Sequence, residues 1–443
     1  MKKACLILLA AILLVSLFAG CAAKTSAAEQ TATSGEETTV TMWTFLDPTK
    51  TTGREVVLAK LIDNYYAQTG VRVVVEPQAW DTLTAKFLAA QATGSAPDLI
   101  WVNSEDMGSI LNANALEPLE NLFVADWDQQ TLEDISDSFW EYASRDGKHY
   151  QIGFSRNYVG VVYRKDLLEQ AGYSVPFQNW DEFREAAAQL TVESDEITQT
   201  KRYGFGTPFS TKSSNPIIIS NMLLKEYGTM FNEDGTANWA NETGKAAVDL
   251  MLRMMDEGSI PQDAISTGID SLCTDFSAGK YAMITGPSTR ISSMKANAVF
   301  DPDTIGIMAY PSDEEGVCSP AAITGWCVGV WSGSKHKQEA GKFLEYMASP
   351  EADQMWVVTG GQVPMRRSTL TACKEFLEKP ENQYIMDAYT CLTQAAWANP
   401  TEFTVTGWRD DQAQVMQDVL VNGADAMTAL QAAEAAFNDR NGR

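Results

Sequence analysis

Apolar residues fall into short periodic segments along this chain. Residues 38–44 set Val40 and Met42 on one side of an extended stretch, the period-two signal of a strand. Over residues 54–67 the pairs Val57/Leu58, Leu61/Ile62 and Tyr65/Tyr66 recur at helical spacing, and Gly70 supplies the stop. Residues 71–75 read as a second strand, Asp81 as the cap of a helix reaching Thr93, and residues 99–102 as a continuous apolar strand suited to a sheet covered on both faces. The order strand, helix, strand, helix, strand predicts an α/β fold with a mostly parallel sheet and right-handed crossovers.

A second series begins near Tyr150. Residues 158–163 read as a strand, and Asn179 with Glu182 three positions on marks a capping-box start for a helix through Leu190. An amphipathic helix over residues 243–257 carries Ala247, Val248, Leu250, Met251, Met254 and Met255 on its apolar side. Further strands are predicted over 281–285, 305–309 and 325–331, and further helices over 337–348, 351–358 and 410–421. There is no internal repeat.

The first 37 residues differ in kind. Lys2 and Lys3 precede an apolar to weakly polar run from Ala4 to Gly20, shorter than the roughly 20 residues of a membrane-spanning helix, so 1–20 reads as a signal peptide. Its end, Phe18-Ala19-Gly20-Cys21, resembles the bacterial lipobox, which makes Cys21 the lipidation site, with palmitate among the acyl chains expected there. Residues 22–37 hold no large apolar side chain and cannot bury enough surface to order themselves, so 21–37 reads as a lipidated cysteine and flexible tether. Each buried acyl methylene contributes about 0.8 kcal/mol, so two or more chains would hold far more firmly than one.

The remaining length, about 400 residues, exceeds what one hydrophobic core usually serves and predicts two lobes. A formal net charge of −25, from 33 basic and 58 acidic residues, opposes binding to nucleic acid or anionic lipid and favours solubility outside the cell. Among Cys273, Cys318, Cys327, Cys373 and Cys391 no two are spaced C-x-x-C, which excludes zinc-ribbon and thioredoxin motifs. Small buried hydrophobes are their favoured reading, with a Cys373–Cys391 or Cys318–Cys327 disulfide as the alternative in an exported protein. With His149 and His336 as the sole histidines, no metal site is expected, and nothing calls for a cofactor.

Several stretches carry a resemblance. Residues 158–167 (YVGVVYRKDL) lead to Ala171-Gly172 and Trp180-Asp181-Glu182-Phe183. Others are residues 96–101 (APDLIW), 276–287 (FSAGKYAMITGP), 340–350 (AGKFLEYMASP) and 360–364 (GGQVP). In order and spacing these resemble the extracellular solute-binding proteins of family 1, the maltose-binding-protein-like sugar-binding lipoproteins of ABC importers. The resemblance implies a two-lobed periplasmic-binding-protein-like fold of type II, each lobe a mostly parallel sheet flanked by helices, with hinge crossings. Carried onto this chain, it puts the N-lobe at 38–148 plus 327–364 and the C-lobe at 149–326 plus 365–443. It further implies a monomer that captures a mono- or oligosaccharide between its lobes. The partner receiving the solute would be an ABC permease, and the protein would sit on the extracellular side of the cell membrane, or in a periplasm where an outer membrane is present.

Ligands of open α/β sheets bind beyond the carboxyl ends of strands. That rule selects Trp43 after the first strand, Trp80 after the second, and Ser104 and Glu105 after the third. A carboxylate such as Glu105 can accept charge-assisted hydrogen bonds from sugar hydroxyls, although acids at a helix start are also stabilising in themselves. Asn157 and Tyr158 stand at the first crossing and Trp326 at the second. Trp408 stands where the family has a stacking aromatic, and each such ring can bury about 150–250 Å² against a sugar face. Core packing is the competing reading for any of the 12 tryptophans, and Trp101, Trp140, Trp180 and Trp356 are assigned to it. Gly286-Pro287 resembles the family's Gly-Pro-Trp, but Ser288 replaces the aromatic, and Ser288, Thr289 and Arg290 would suit a phosphate oxygen, as in glycerol-3-phosphate binders.

Enzyme motifs do not hold. Gly153-Phe154-Ser155-Arg156-Asn157 lacks the closing glycine of a nucleophile elbow, and Ser332-Gly333-Ser334-Lys335 matches S-x-x-K by spacing alone. Residues 232–235 (NEDG) read as a turn rather than a calcium loop. A secreted glycosidase, which needs two suitably placed carboxylates, is the rival class, followed by a surface adhesin.

Overall fold

Among the described residues thirteen strands are interspersed with helices. β1 (Thr39–Thr44), β2 (Arg72–Pro77) and β3 (Leu99–Asn103) come first, followed by the hairpin β4 (Ser144–Arg145) and β5 (Lys148–His149). β6 (Ile152–Asn157) and β7 (Val159–Arg164) are separated by Tyr158 alone, and β8 (Tyr203–Gly206), β9 (Tyr281–Pro287) and β10 (Ile305–Met308) follow. β11 (Ala321–Ala322), β12 (Thr324–Val330) and β13 (Ala396–Trp397) complete the set. The structure, a computed structural model, describes residues 38–140, 143–210, 217–311, 319–394 and 396–443, with backbone alone at Ser155 and Arg156. The expected signal peptide, Cys21, the tether and Cys318 lie outside the described residues.

The strands form a five-stranded sheet of order β2-β1-β3-β12-β6 and a four-stranded sheet of order β10-β7-β9-β8. In the first, β1 is parallel to β2 and β3, whereas β12 runs antiparallel to β3 and β6. In the second, β7 runs antiparallel to β9 and β10, and β8 is parallel to β9. Each sheet thus has one reversed strand among strands sharing a direction, so the mostly parallel sheets expected are mixed sheets of that kind. The reversed strands are those the chain enters from the other sheet. Among the described residues no helical crossover delivers them, so nothing there obliges them to run parallel.

The first crossing lies at Tyr158, because β6 pairs with β12 from Ile152↔Val328 to Asn157↔Thr324. The chain therefore stays with the first sheet through Asn157, not to 148, and rejoins it at Thr324, not 327. β11 and β13 pair as a short parallel ribbon next to that second crossing.

Local signals placed several helices. Gly53–Thr69 ends on Gly70 at φ 71°, a left-handed conformation that glycine adopts without a Cβ penalty. Trp180–Leu190 starts on Asn179, whose side chain accepts the Glu182 N–H at 2.8 Å, while Glu182 accepts the Gln178 N–H at 2.8 Å. Asp81 is not a cap, since Leu83–Ala92 follows Thr82, whose side chain makes no capping bond. Residues 232–235 form the expected turn, with Gly235 N–H donating to the Asn232 carbonyl. Ile217–Tyr227 went unpredicted because an apolar run of that kind has no period to read.

β7 is buried along its whole length. Its alternate side chains enter two cores: Val162 joins one that extends through the first sheet, and Val161 and Tyr163 join another under the helices Glu242–Asp256, Trp408–Asn422 and Ala426–Arg440. Thr38–Arg443 form one compact unit. Cys273, Cys327, Cys373 and Cys391 are buried thiols outside any disulfide, so the Cys373–Cys391 bridge is not formed. No helix among the described residues is long and apolar enough to cross a membrane.

Candidate functional site

β1 and β3 end, and β12 begins, at one edge of the first sheet, with Trp326 directly opposite Asn103. Asn103 caps the turn that follows, its side chain accepting the Glu105 N–H at 3.2 Å. Ser104, Glu105 and Asp106 then lead into the helix Met107–Asn112. That helix rests on residues 403–409, which belong to the second lobe. Ser109 and Thr406 hydroxyls meet at 3.0 Å, and Asn112 Nδ2 donates to Thr404 Oγ1 at 3.4 Å. Gly108 permits the approach, since a Cβ there would stand 2.4 Å from the Phe403 carbonyl oxygen.

Across this seam Arg409 Nε lies 2.9 Å from Glu105 Oε1, with 15% and 22% of the two side chains exposed. It is an ion pair without hydrogen-bond alignment, and Arg409 Nη2 is buried with no partner. Burial pushes the Glu105 carboxyl up; Arg409 opposes this, while Asp106 and Asp410 reinforce it. Burial likewise pulls the Arg409 guanidinium down, against Glu105 and Asp410. Arg409 stands in the first turn of Trp408–Asn422, where the helix dipole disfavours a cation. It is a residue that sequence reasoning missed, and a basic side chain at a helix start is the signal that could have found it.

The expected aromatic residues divide. Trp326 is half-buried against Phe45, their rings 4.6 Å apart, and Phe45 was not foreseen. Trp43 donates its indole N–H to Glu76 at 2.7 Å and is covered by the Lys86 ammonium at 4.4 Å, whereas Trp80 is 49% exposed. Trp408 is 1% exposed and sits in the second core, with the Arg409 guanidinium 4.7 Å from its ring. It has no free face, so the stacking role assigned to it is corrected to core packing. Trp101, Trp140 and Trp356 also pack in the core.

At the first crossing Asn157 is a knot rather than an open contact. Its Nδ2 donates to Thr324 Oγ1 at 3.0 Å, and its Oδ1 accepts from Ser288 Oγ, Thr289 N–H and Thr289 Oγ1 at 3.4, 3.3 and 3.2 Å. Ser288 Oγ also accepts the Tyr158 N–H at 3.1 Å; Tyr158 and Pro287 are buried. Arg290 is paired with Asp270 at 2.6 Å. Ser288, Thr289 and Arg290, the groups expected to suit a phosphate, thus each already hold a partner within the protein. Ser104 Oγ, by contrast, is buried and unpartnered. Burial and the nearby Arg290 both pull the Arg54 guanidinium down, with Glu55 opposing them. An open cavity of about 440 Å³ lies elsewhere, between the β4–β5 hairpin and Thr401–Glu402, and contains none of the expected residues.

The family model described as bacterial extracellular solute-binding protein matches residues 60–383. The chain belongs to that family. Among curated relatives, a binding protein of Brucella abortus is 24% identical over 83% of this chain and 85% of its own length. The sn-glycerol-3-phosphate-binding periplasmic protein UgpB of Escherichia coli is 23% identical over 66% and 67%. Among solved structures, the GacH receptor of Streptomyces glaucescens, studied unliganded and with acarbose, superposes with TM-score 0.74 at 21% identity over 92% of this chain and 99% of that one. The sugar-binding protein MalE of Xanthomonas citri gives TM-score 0.74 at 20% identity over 91% and 97%. The fold of this solute-binding protein is thereby the two-lobed type II arrangement.

Proposed function

We propose that this solute-binding protein captures a carbohydrate between its lobes and delivers it to an ABC permease, without chemically altering it. The observation that carries this reading is the meeting of Glu105 with Arg409 from the opposite lobe, where Arg409 Nη2 and the Oγ of the adjacent Ser104 are buried and unpartnered. Together they supply acceptors and donors for hydroxyl groups, beside the half-buried Trp326 and Phe45 rings. Solute contacting both lobes favours the closed form by its differential affinity. The sugar ligands of GacH and MalE support the class. A second reading, a phosphate ester such as glycerol-3-phosphate, is favoured by the UgpB relatives and the Arg409 guanidinium.

Thermal shift and calorimetry against mono- and oligosaccharides and glycerol-3-phosphate test both readings. Stabilisation with intact ligand recovered supports capture; turnover of the ligand, or silence across the panel, removes it. Residues 1–20 act as a signal peptide in this scheme, and acylated Cys21 holds a monomer at the outer face of the membrane.

A further inference from the structure

Arginines near the seam face carboxylates. Arg409 faces Glu105 at 2.9 Å, Arg290 faces Asp270 at 2.6 Å, and Arg54 lies within the field of Glu55. Behind Arg409, Arg440 holds Asp411 through both nitrogens, Nη2 at 2.8 Å from Oδ1. Asp106 and Asp410 add negative charge at Glu105. A phosphate dianion arriving there would meet a neutralised guanidinium flanked by carboxylates. A sugar hydroxyl meets the opposite situation, because it can donate to Glu105 and accept from Arg409 Nη2 or Ser104 Oγ while the pair stays intact.

We propose that Glu105 sets the charge class of the solute: paired with Arg409, it reserves this part of the seam for an uncharged polyhydroxyl ligand and excludes phosphate esters. The assignment rests on the solute-capture reading and selects between its two ligands. Glu105 acts here as a specificity residue, and the Arg409 charge becomes available to an anion once the Glu105 charge is removed.

The test is calorimetry with the mature chain, its Glu105→Gln variant and its Glu105→Asp variant, each titrated with the best neutral sugar of the panel and with glycerol-3-phosphate. Wild type should prefer the neutral sugar by at least about tenfold, or 1.4 kcal/mol. Glu105→Gln should shift that ratio toward the phosphate by at least about tenfold, and Glu105→Asp, which keeps the charge, should keep the wild-type preference. Equal or tighter binding of glycerol-3-phosphate by wild type overturns the charge assignment alone, as does an unchanged ratio in Glu105→Gln. Binding of neither ligand class overturns the capture reading and this one with it. A wild-type preference for glycerol-3-phosphate overturns the assignment even if Glu105→Gln does not fold.

Discussion

Replacing Trp408 with Ala separates a core residue from a ligand platform. Trp408 is 1% exposed among the buried side chains of the second lobe. Removing the indole forfeits about 150–250 Å² of buried surface, worth about 4–6 kcal/mol at 25 cal/mol/Å² as an upper bound. Measured truncations of buried aromatics cost about 3–5 kcal/mol, the range expected here. The ring also backs the Arg409 guanidinium at 4.7 Å, so the variant should loosen the Glu105 pairing as well. Trp408→Phe keeps ring bulk and deletes a buried indole N–H that has no partner, so it should cost under about 1.5 kcal/mol. Urea unfolding followed by far-ultraviolet circular dichroism measures both. At about 2.1 cal/mol/K per residue over Thr38–Arg443, the Ala variant should melt about 4–6 °C lower. Unchanged stability with at least about tenfold weaker ligand binding would refute the core assignment and restore Trp408 as a platform.

Two further outcomes follow from the charges and from the N-terminus. Arg202 and Asp195 form a buried ion pair with 9% and 4% of their side chains exposed, so Arg202→Ala should destabilise the fold by about 3–5 kcal/mol near neutral pH. Burial raises the Asp195 carboxyl, but N–H groups of Thr198 and Ile197 and the Arg202 charge together outweigh it and hold it below the usual carboxylate range. A depressed folded value contributes stability above the ordinary value that is lost as pH falls through the folded one, so the gap between wild type and variant should narrow below about pH 4 in acid unfolding curves. Cys21→Ala should abolish incorporation of radiolabelled palmitate and shift the chain from membranes to the medium; label retained by the variant would rule out Cys21 as the anchor.

Local and short-range properties were legible in the sequence. The 158–163 segment, the Asn179–Glu182 cap, the Gly70 stop and the apolar side of the 243–257 helix depend on contacts within a few residues, and all stand near their expected places. Motif order along the chain pointed to the family by resemblance, and chain length pointed to two lobes, because one hydrophobic core rarely serves about 400 residues. Glu105 could be selected from its place after a strand, since strand ends in α/β sheets define where a ligand can reach.

Everything that depended on what the other lobe presents was decided by tertiary structure. Arg409 acquires a role from Glu105, 304 positions away, and no local pattern connects them. Trp408 and Trp326 are alike as sequence signals, yet one fills a core and the other leans half-buried on Phe45. Ser288 and Thr289 carry hydroxyls fit for a phosphate, and Asn157 from the crossing takes them instead. A side chain's chemistry is written in the sequence, but its availability depends on which partner reaches it first, and that is fixed only when distant segments pack.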